Sequence, residues 1–120
     1  ILSIIERVES EALKKADKEG LPVDNLKSAV CQLIRSDQSD FFTWHPDTKS
    51  ELSRCYSFLI ALNDDAVGGE IQFETAEGND PIIHYLEKGW ALGYNPTIRS
   101  KHHRVLRGTK FMGLCILEEK

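Results

Sequence analysis

Apolar residues recur at three- and four-residue spacing near the start of the chain, and charged residues fill the positions between them. The apolar positions that share one helical face are Leu2, Ile5, Val8, Ala12 and Ala16. Gly20 and Pro22 follow, and these residue types commonly end a helix. The pattern predicts one amphipathic helix over residues 2–18 that packs against a sheet.

After Pro22 the pattern changes to short apolar runs separated by turn-forming residues, which is typical of strands. The predicted strands cover residues 29–34, 41–45, 53–62, 70–74, 82–86, 90–95, 102–106 and 109–117. No helical pattern alternates with them, so parallel strand–helix–strand units are not expected. We therefore predict a mainly β fold, a sandwich or jelly roll, with an N-terminal packing helix and a β core over about residues 29–117.

Length and composition narrow the function classes. With 120 residues, the chain is expected to form a single domain over residues 1–120. A formal net charge of -4 and the lack of a dense basic block do not favour nucleic-acid binding. No apolar run approaches the roughly 18 residues of a membrane span. The three cysteines, Cys31, Cys55 and Cys115, form no Cys-x-x-Cys pair, which argues against a disulfide framework and slightly favours a reducing intracellular compartment.

Candidate chemistry lies in His45-Pro46-Asp47 and in a later histidine pair, His102-His103. Alternate side chains of a strand share a face, so His45 and Asp47 are expected to point the same way. A third ligand from the later strand would complete a two-histidine, one-carboxylate site, which suits non-haem Fe(II). Alternation with Val105 favours His103 as that ligand, with His102 as the open alternative.

A cation at the start of the last predicted strand, Lys110, could point into the same cavity and pair with a carboxylate there. A buried lysine is usually paired, because an unpaired buried charge is costly. The alternative is an exposed strand end.

The order of these motifs resembles the prolyl-4-hydroxylase-like branch of the Fe(II)- and 2-oxoglutarate-dependent dioxygenases. The resemblance covers about residues 29–117. In chain order, its motifs are Phe41-Phe42-Thr43-Trp44-His45-Pro46-Asp47, the strand ending in Leu62-Asn63, Gly68-Gly69-Glu70, Gly89 before a strand, His103-Arg104-Val105 and Gly108-Thr109-Lys110.

The resemblance implies a double-stranded β-helix in which His45, Asp47 and His103 hold Fe(II). It implies that Lys110 binds the distal carboxylate of 2-oxoglutarate, that Arg54 lies near the site mouth, and that ascorbate can serve as a further cofactor. The implied reaction hydroxylates a carbon of a protein or peptide, on proline or lysine, and releases succinate and CO2. Two alternatives stay open: a catalytically inactive metal-binding jelly roll that serves as an interaction module, and a cupin-like metal enzyme without 2-oxoglutarate.

Overall fold

A computed structural model of the chain describes residues 3–47, 55–75 and 82–120. Helix α1 spans Ile4–Lys18, and a short 3-10 turn at Val23–Asn25 leads into the strands. Within the described ranges the strands are β1 Leu26–Ser36, β2 Phe42–His45, β3 Cys55–Ala61, β4 Val67–Gly68, β5 Ile71–Phe73, β6 Ile82–His84, β7 Ala91–Tyr94, β8 Ser100–His102, β9 Val105–Arg107 and β10 Lys110–Glu119. No helix among these residues is long and apolar enough to cross a membrane.

The strands form two four-stranded antiparallel sheets and one short ladder. The first sheet has the order β1-β10-β3-β7, the second has the order β2-β8-β5-β6, and β4 pairs with β9. Apart from β5 and β6, neighbouring strands in the two sheets are not consecutive in the chain, as is common in a jelly roll. The predicted fold class is confirmed: a mainly β jelly roll with an N-terminal helix.

Alternation along β10 divides the apolar residues between two cores. One set packs between the two sheets and includes Leu59, Ile71, Phe73, Met112, Leu114 and Ile116. The other set packs between the first sheet and α1 and includes Val8, Ala12, Ala16, Phe58, Ile60, Cys115 and Leu117. The first sheet is therefore covered on both faces, which explains the nearly continuous apolar runs of β3 and β10.

Helix α1 follows the predicted pattern closely. Its buried residues are Val8, Ala12 and Ala16, three of the apolar positions expected from the sequence. The helix begins after Ser3, whose Oγ accepts a hydrogen bond from the Glu6 amide at 3.1 Å and caps the first turn. Residues 1 and 2 lie outside the described residues.

The region predicted as one strand over residues 102–106 forms two strands. β8 ends at His102 and β9 begins at Val105. Between the two strands, the backbone of His103 and Arg104 forms hydrogen bonds with residues 69 and 70. The His103 amide donates to Glu70 O at 2.8 Å, and Arg104 O accepts from the Gly69 amide at 3.1 Å. The break changes which side chains face the space between the sheets. The short strand β4 was not predicted, because a two-residue strand beside glycine has no readable periodicity.

Candidate functional site

A cavity of about 210 Å³ lies between the two sheets. The first sheet contributes Gln32 and Ile34 from β1 together with Leu59, Tyr94 and Leu114. The second sheet and the segment after β2 contribute Phe42, His45, Pro46, Asp47 and His102. Polar and titratable groups thus meet in an otherwise apolar space, which is the usual composition of a small-molecule site.

His45 is the last residue of β2, and one of its ring nitrogens forms a hydrogen bond to the backbone. Its Nδ1 lies 2.7 Å from the carbonyl oxygen of Thr43. Since a carbonyl only accepts, Nδ1 carries the proton in this contact and the Nε2 lone pair is available to a ligand. The ring centroids of His45 and His102 are 6.2 Å apart.

His102 is buried, with 8% of its surface exposed. Its Nδ1 is one of two buried polar side-chain atoms, with Ser100 Oγ, that have no hydrogen-bond partner among the described residues. Burial lowers the pKa of His102 to about 3, and the nearby charge of Lys110 acts in the same direction. The imidazole is therefore neutral at neutral pH, the form that binds metals.

Two hydroxyl groups hold the carboxylate of Asp47. Ser57 Oγ donates to Asp47 Oδ2 at 2.8 Å, and Tyr94 Oη donates to the same oxygen at 2.6 Å. Burial, followed by the charge of Asp47, raises the pKa of Tyr94 above its usual value, so its hydroxyl keeps its proton. Both bonds use Oδ2, so neither of them occupies Oδ1.

The structure places His102, and not His103, beside His45. His103 Nε2 lies 2.8 Å from Gln72 Oε1, and His103 is absent from the lining of the cavity between the sheets. The prediction extended the alternation from Val105 back to His103. Since the strand is interrupted at residues 103 and 104, the inward positions of β8 are Ser100 and His102 instead, and both are buried.

These donors fit a divalent transition metal in chemical type. Two imidazoles and one carboxylate leave coordination positions open, as in non-haem iron sites. Nδ1 of His102 is a buried ring nitrogen without a partner among the described residues, and in the tautomer that leaves its lone pair free a metal would satisfy it. Across the part of the chain that the structure describes, no group of three His, Cys, Asp or Glu side chains is already close enough to hold a metal. The side chains would have to approach one another on binding.

Lys110 begins β10 and is half-buried. Its Nζ donates to the carbonyl oxygen of Gly69 and borders a second, smaller cavity with Asn63 and Tyr85. Burial lowers the pKa of Lys110 to about 8, against the opposing charge of Glu70. The ammonium does not line the cavity of His45 and His102, although its charge acts on His102. Arg54, predicted near the site mouth, lies outside the described residues.

The sequence did not identify the two hydroxyl donors to Asp47. From the sequence alone Tyr56 and Tyr94 are equivalent, since neither residue shows which face of its strand it occupies. In the structure Tyr94 points between the sheets and Tyr56 packs toward α1. Alternation from Leu59 would have indicated Ser57 as an inward position of β3, because Ser57 and Leu59 share a face.

No family model matches the chain, and no curated protein matches it. Several solved structures, however, are similar to the chain. An oxidoreductase of the 2OG-Fe(II) oxygenase family from Burkholderia pseudomallei matches with a TM-score of 0.74 and 19% identity, over 87% of this chain and 48% of that one. The viral collagen prolyl hydroxylase of Paramecium Bursaria Chlorella virus-1, solved with 2OG, matches with a TM-score of 0.69 and 15% identity, over 97% and 73%.

A third similar structure is the cumin domain of Drosophila melanogaster CENP-C, with a TM-score of 0.55 and 7% identity, over 73% of this chain and 58% of that one. Identities this low show a shared fold alone. The chain spans about half the length of the Burkholderia oxidoreductase. The comparisons give no support for ascorbate as a cofactor.

Proposed function

We propose that residues 1–120 form a single domain of an Fe(II)- and 2-oxoglutarate-dependent dioxygenase, in which His45, Asp47 and His102 hold the iron. The observation that carries the proposal is that these three side chains line one cavity between the sheets of a jelly roll. The proposed donor atoms are Nε2 of His45, Oδ1 of Asp47 and a nitrogen of the neutral His102, because the hydrogen bonds to described residues use Nδ1 of His45 and Oδ2 of Asp47. The similar 2OG-Fe(II) oxygenase structures support the same kind of activity.

When bound, iron and 2-oxoglutarate supply the oxidation: a C–H bond becomes C–OH with O2, and 2-oxoglutarate becomes succinate and CO2. The residues of the chain orient the donors. Thr43 O sets the tautomer of His45, and two hydroxyls fix one oxygen of Asp47. Burial keeps His102 neutral. The apolar part of the lining, which includes Ile34, Leu59 and Leu114, lowers the local dielectric.

Lys110 is the proposed anchor for the distal carboxylate of 2-oxoglutarate. Its ammonium is half-buried and close enough to His102 to influence the pKa of that ring. To bind a carboxylate, it would exchange the Gly69 carbonyl for a charged acceptor, and hydrogen bonds between charged partners are the stronger kind. Lysine offers a point charge here and not a bidentate fork.

The proposed substrate is a proline or lysine residue of a protein or peptide. The similarity to the viral collagen prolyl hydroxylase, which extends over 97% of this chain, supports this class. Phe42 supports it as well, since this ring lines the cavity and is 41% exposed. An exposed aromatic side chain at a cavity provides apolar surface for a polypeptide.

The test compares two adjacent histidines. Anaerobic addition of Fe(II) and 2-oxoglutarate to the wild-type protein is expected to give a weak visible metal-to-ligand charge-transfer band, and admission of oxygen is expected to yield succinate. His102→Ala should abolish both signals, and His103→Ala should keep the band. Loss of the band in His103→Ala with retention in His102→Ala would overturn the assignment of the ligand.

A second candidate function is an interaction module without turnover. Two observations favour it: within the described ranges no three-ligand group is already assembled, and the CENP-C cumin domain has a similar fold. A wild-type protein that is folded, yet gives neither the band nor succinate at saturating Fe(II) and 2-oxoglutarate, would support this module and contradict the oxygenase.

A further inference from the structure

Two of the three cysteines, neither with a part in the proposed chemistry, stand opposite one another in the first sheet. Cys31 of β1 pairs in register with Cys115 of β10 in an antiparallel ladder. Directly opposite residues share a face and have Cα atoms about 4.5–5.5 Å apart. Disulfides span Cα distances of about 4.4–6.8 Å, so the ladder itself places this pair within the range of a disulfide.

The two thiol groups lie together under helix α1. Each thiol influences the pKa of the other, as expected for two sulfur atoms that lie close together. Cys31 Sγ also donates to the carbonyl oxygen of Ile5 in α1 at 3.4 Å, and Cys115 Sγ lies 3.7 Å from Ser28 Oγ. Cys115 is fully buried and Cys31 is partly exposed. One sulfur is therefore reachable from solvent while the other lies beside it.

We propose that Cys31 and Cys115 are a site of reversible oxidation, where a disulfide forms between β1 and β10. With a disulfide oxidant such as oxidised glutathione, the Cys31 thiolate attacks one sulfur and releases one glutathione thiolate. The Cys115 thiolate then attacks Cys31 Sγ in the mixed disulfide and releases the second. Both cysteines are oxidised, one oxidised glutathione is reduced to two thiols, and the two protons lost by the cysteines balance the two glutathione thiols.

The surrounding backbone can accommodate the bond. Directly opposite Cβ atoms are about 4.5–5.5 Å apart, and a disulfide needs about 3.5–4.5 Å, so the strands must approach by roughly 1 Å. Strand β1 is at the edge of its sheet, and its register with β10 shifts between Ser28 and Val30, beside Cys31. An edge strand with an irregularity next to the cysteine can move more easily than a central strand.

Cys55 is excluded as the partner by its position. It lies on β3 opposite Glu118, and it packs on the core between the two sheets. Cys115 faces the other core, under α1. Because the sheet separates them, Cys55 provides a matched control for the pair.

Burial makes the reaction slow. It raises the pKa of Cys115 to about 12 and also raises the pKa of Cys31. Since the thiolate is the nucleophile, only a small fraction of either cysteine reacts at neutral pH. We therefore expect oxidation to need prolonged incubation with the oxidant. Once formed, the bond ties together two strands that line the proposed site through Gln32, Ile34 and Leu114.

The test starts from fully reduced protein incubated with oxidised glutathione. The mass of the intact protein should decrease by the mass of two hydrogen atoms. Peptide mapping should identify a peptide in which Cys31 is linked to Cys115. The oxidised protein should unfold at a temperature higher by about 5 °C or more, because the bond closes a long loop. Cys55→Ser should behave as wild type, and Cys31→Ser should show neither the mass loss nor the thermal shift.

Cys115→Ala removes the other cysteine of the pair and should also show neither the mass loss nor the thermal shift. Cys115 is buried, so this variant could fail to fold, and in that case the result for Cys31→Ser decides. A link that involves Cys55, a link between two chains, or an unchanged mass after prolonged oxidation would each overturn the proposal. A mass loss that persists in Cys31→Ser would do the same.

Discussion

The hydroxyl of Tyr94 offers a direct test of the role of Asp47. Tyr94→Phe removes the hydroxyl that donates to Asp47 Oδ2 at 2.6 Å and leaves the ring, which packs on Phe73 with centroids 4.8 Å apart. The change therefore removes one hydrogen bond and little packing. Ser57 remains as the second donor to the same oxygen, at 2.8 Å.

The expected magnitude has two parts. A hydrogen bond to a charged group contributes about 1.5–3 kcal/mol, so the metal-free variant should be less stable by about that amount. With one donor lost, the carboxylate can turn away from the cavity, and metal binding must then fix it again. Replacing groups that orient a metal ligand typically weakens metal affinity by about 10- to 100-fold, and we expect a loss in that range.

Two measurements separate these effects. Urea denaturation of the metal-free proteins gives the difference in free energy of unfolding, and calorimetric titration with Co(II) gives the difference in affinity. Co(II) binds the same ligand types as Fe(II), somewhat more tightly, and does not oxidise readily. Tyr56→Phe is the matched control, since Tyr56 packs on the other face of the first sheet, toward α1.

The reasoning about Asp47 would be refuted by a Tyr94→Phe protein that is folded and loses stability, but binds Co(II) as tightly as wild type. That outcome would mean that the Tyr94 hydroxyl serves the fold alone and that Asp47 is not a ligand. An equal loss of affinity in Tyr56→Phe would point to a general loss of structure.

Two further predictions concern other parts of the chain. Lys110→Met removes the positive charge and keeps an aliphatic side chain. Because breaking a buried charge pair costs about 3–5 kcal/mol, the affinity for 2-oxoglutarate should fall by hundreds-fold or more. Titration of the charge-transfer band with 2-oxoglutarate measures this affinity. Normal affinity would mean that another residue is the anchor. Gly113→Ala places a Cβ 2.6 Å from Val8 Cγ1, so overpacking of about 1–3 kcal/mol should lower the melting temperature by several degrees in thermal denaturation. An unchanged melting temperature would contradict the close contact of α1 with β10.

Much of the fold could be predicted, because the spacing of apolar residues within short segments indicates the helix and most of the strands. The helix appears almost where its apolar spacing places it, and most strands appear within a few residues of the predicted runs. The large exception is the region after Arg99. There the sequence reads as one strand over residues 102–106, and the structure interrupts it at His103 and Arg104. Backbone bonds to Gly69 and Glu70, distant in sequence, cause the interruption.

The candidate site was predictable only in part for the same reason. His45 and Asp47 are close in sequence, and the structure brings both to one cavity. The choice between His102 and His103 depended on the phase of a strand, and a shift of one residue moves each side chain to the opposite face. The inward and outward alternation of side chains cannot be extended across an interruption of the strand, and the sequence does not show that interruption.

The sequence by itself determined the alternation of apolar residues, and with it a helix followed by a β fold with His-x-Asp at a strand end. Those features depend on neighbouring residues, whose spacing the chain shows directly. Only the tertiary structure decided that His102 faces His45, that Ser57 and Tyr94 hold Asp47, and that Cys31 stands opposite Cys115. These contacts join strands far apart in the chain, and their register follows from the packing of the whole sheet.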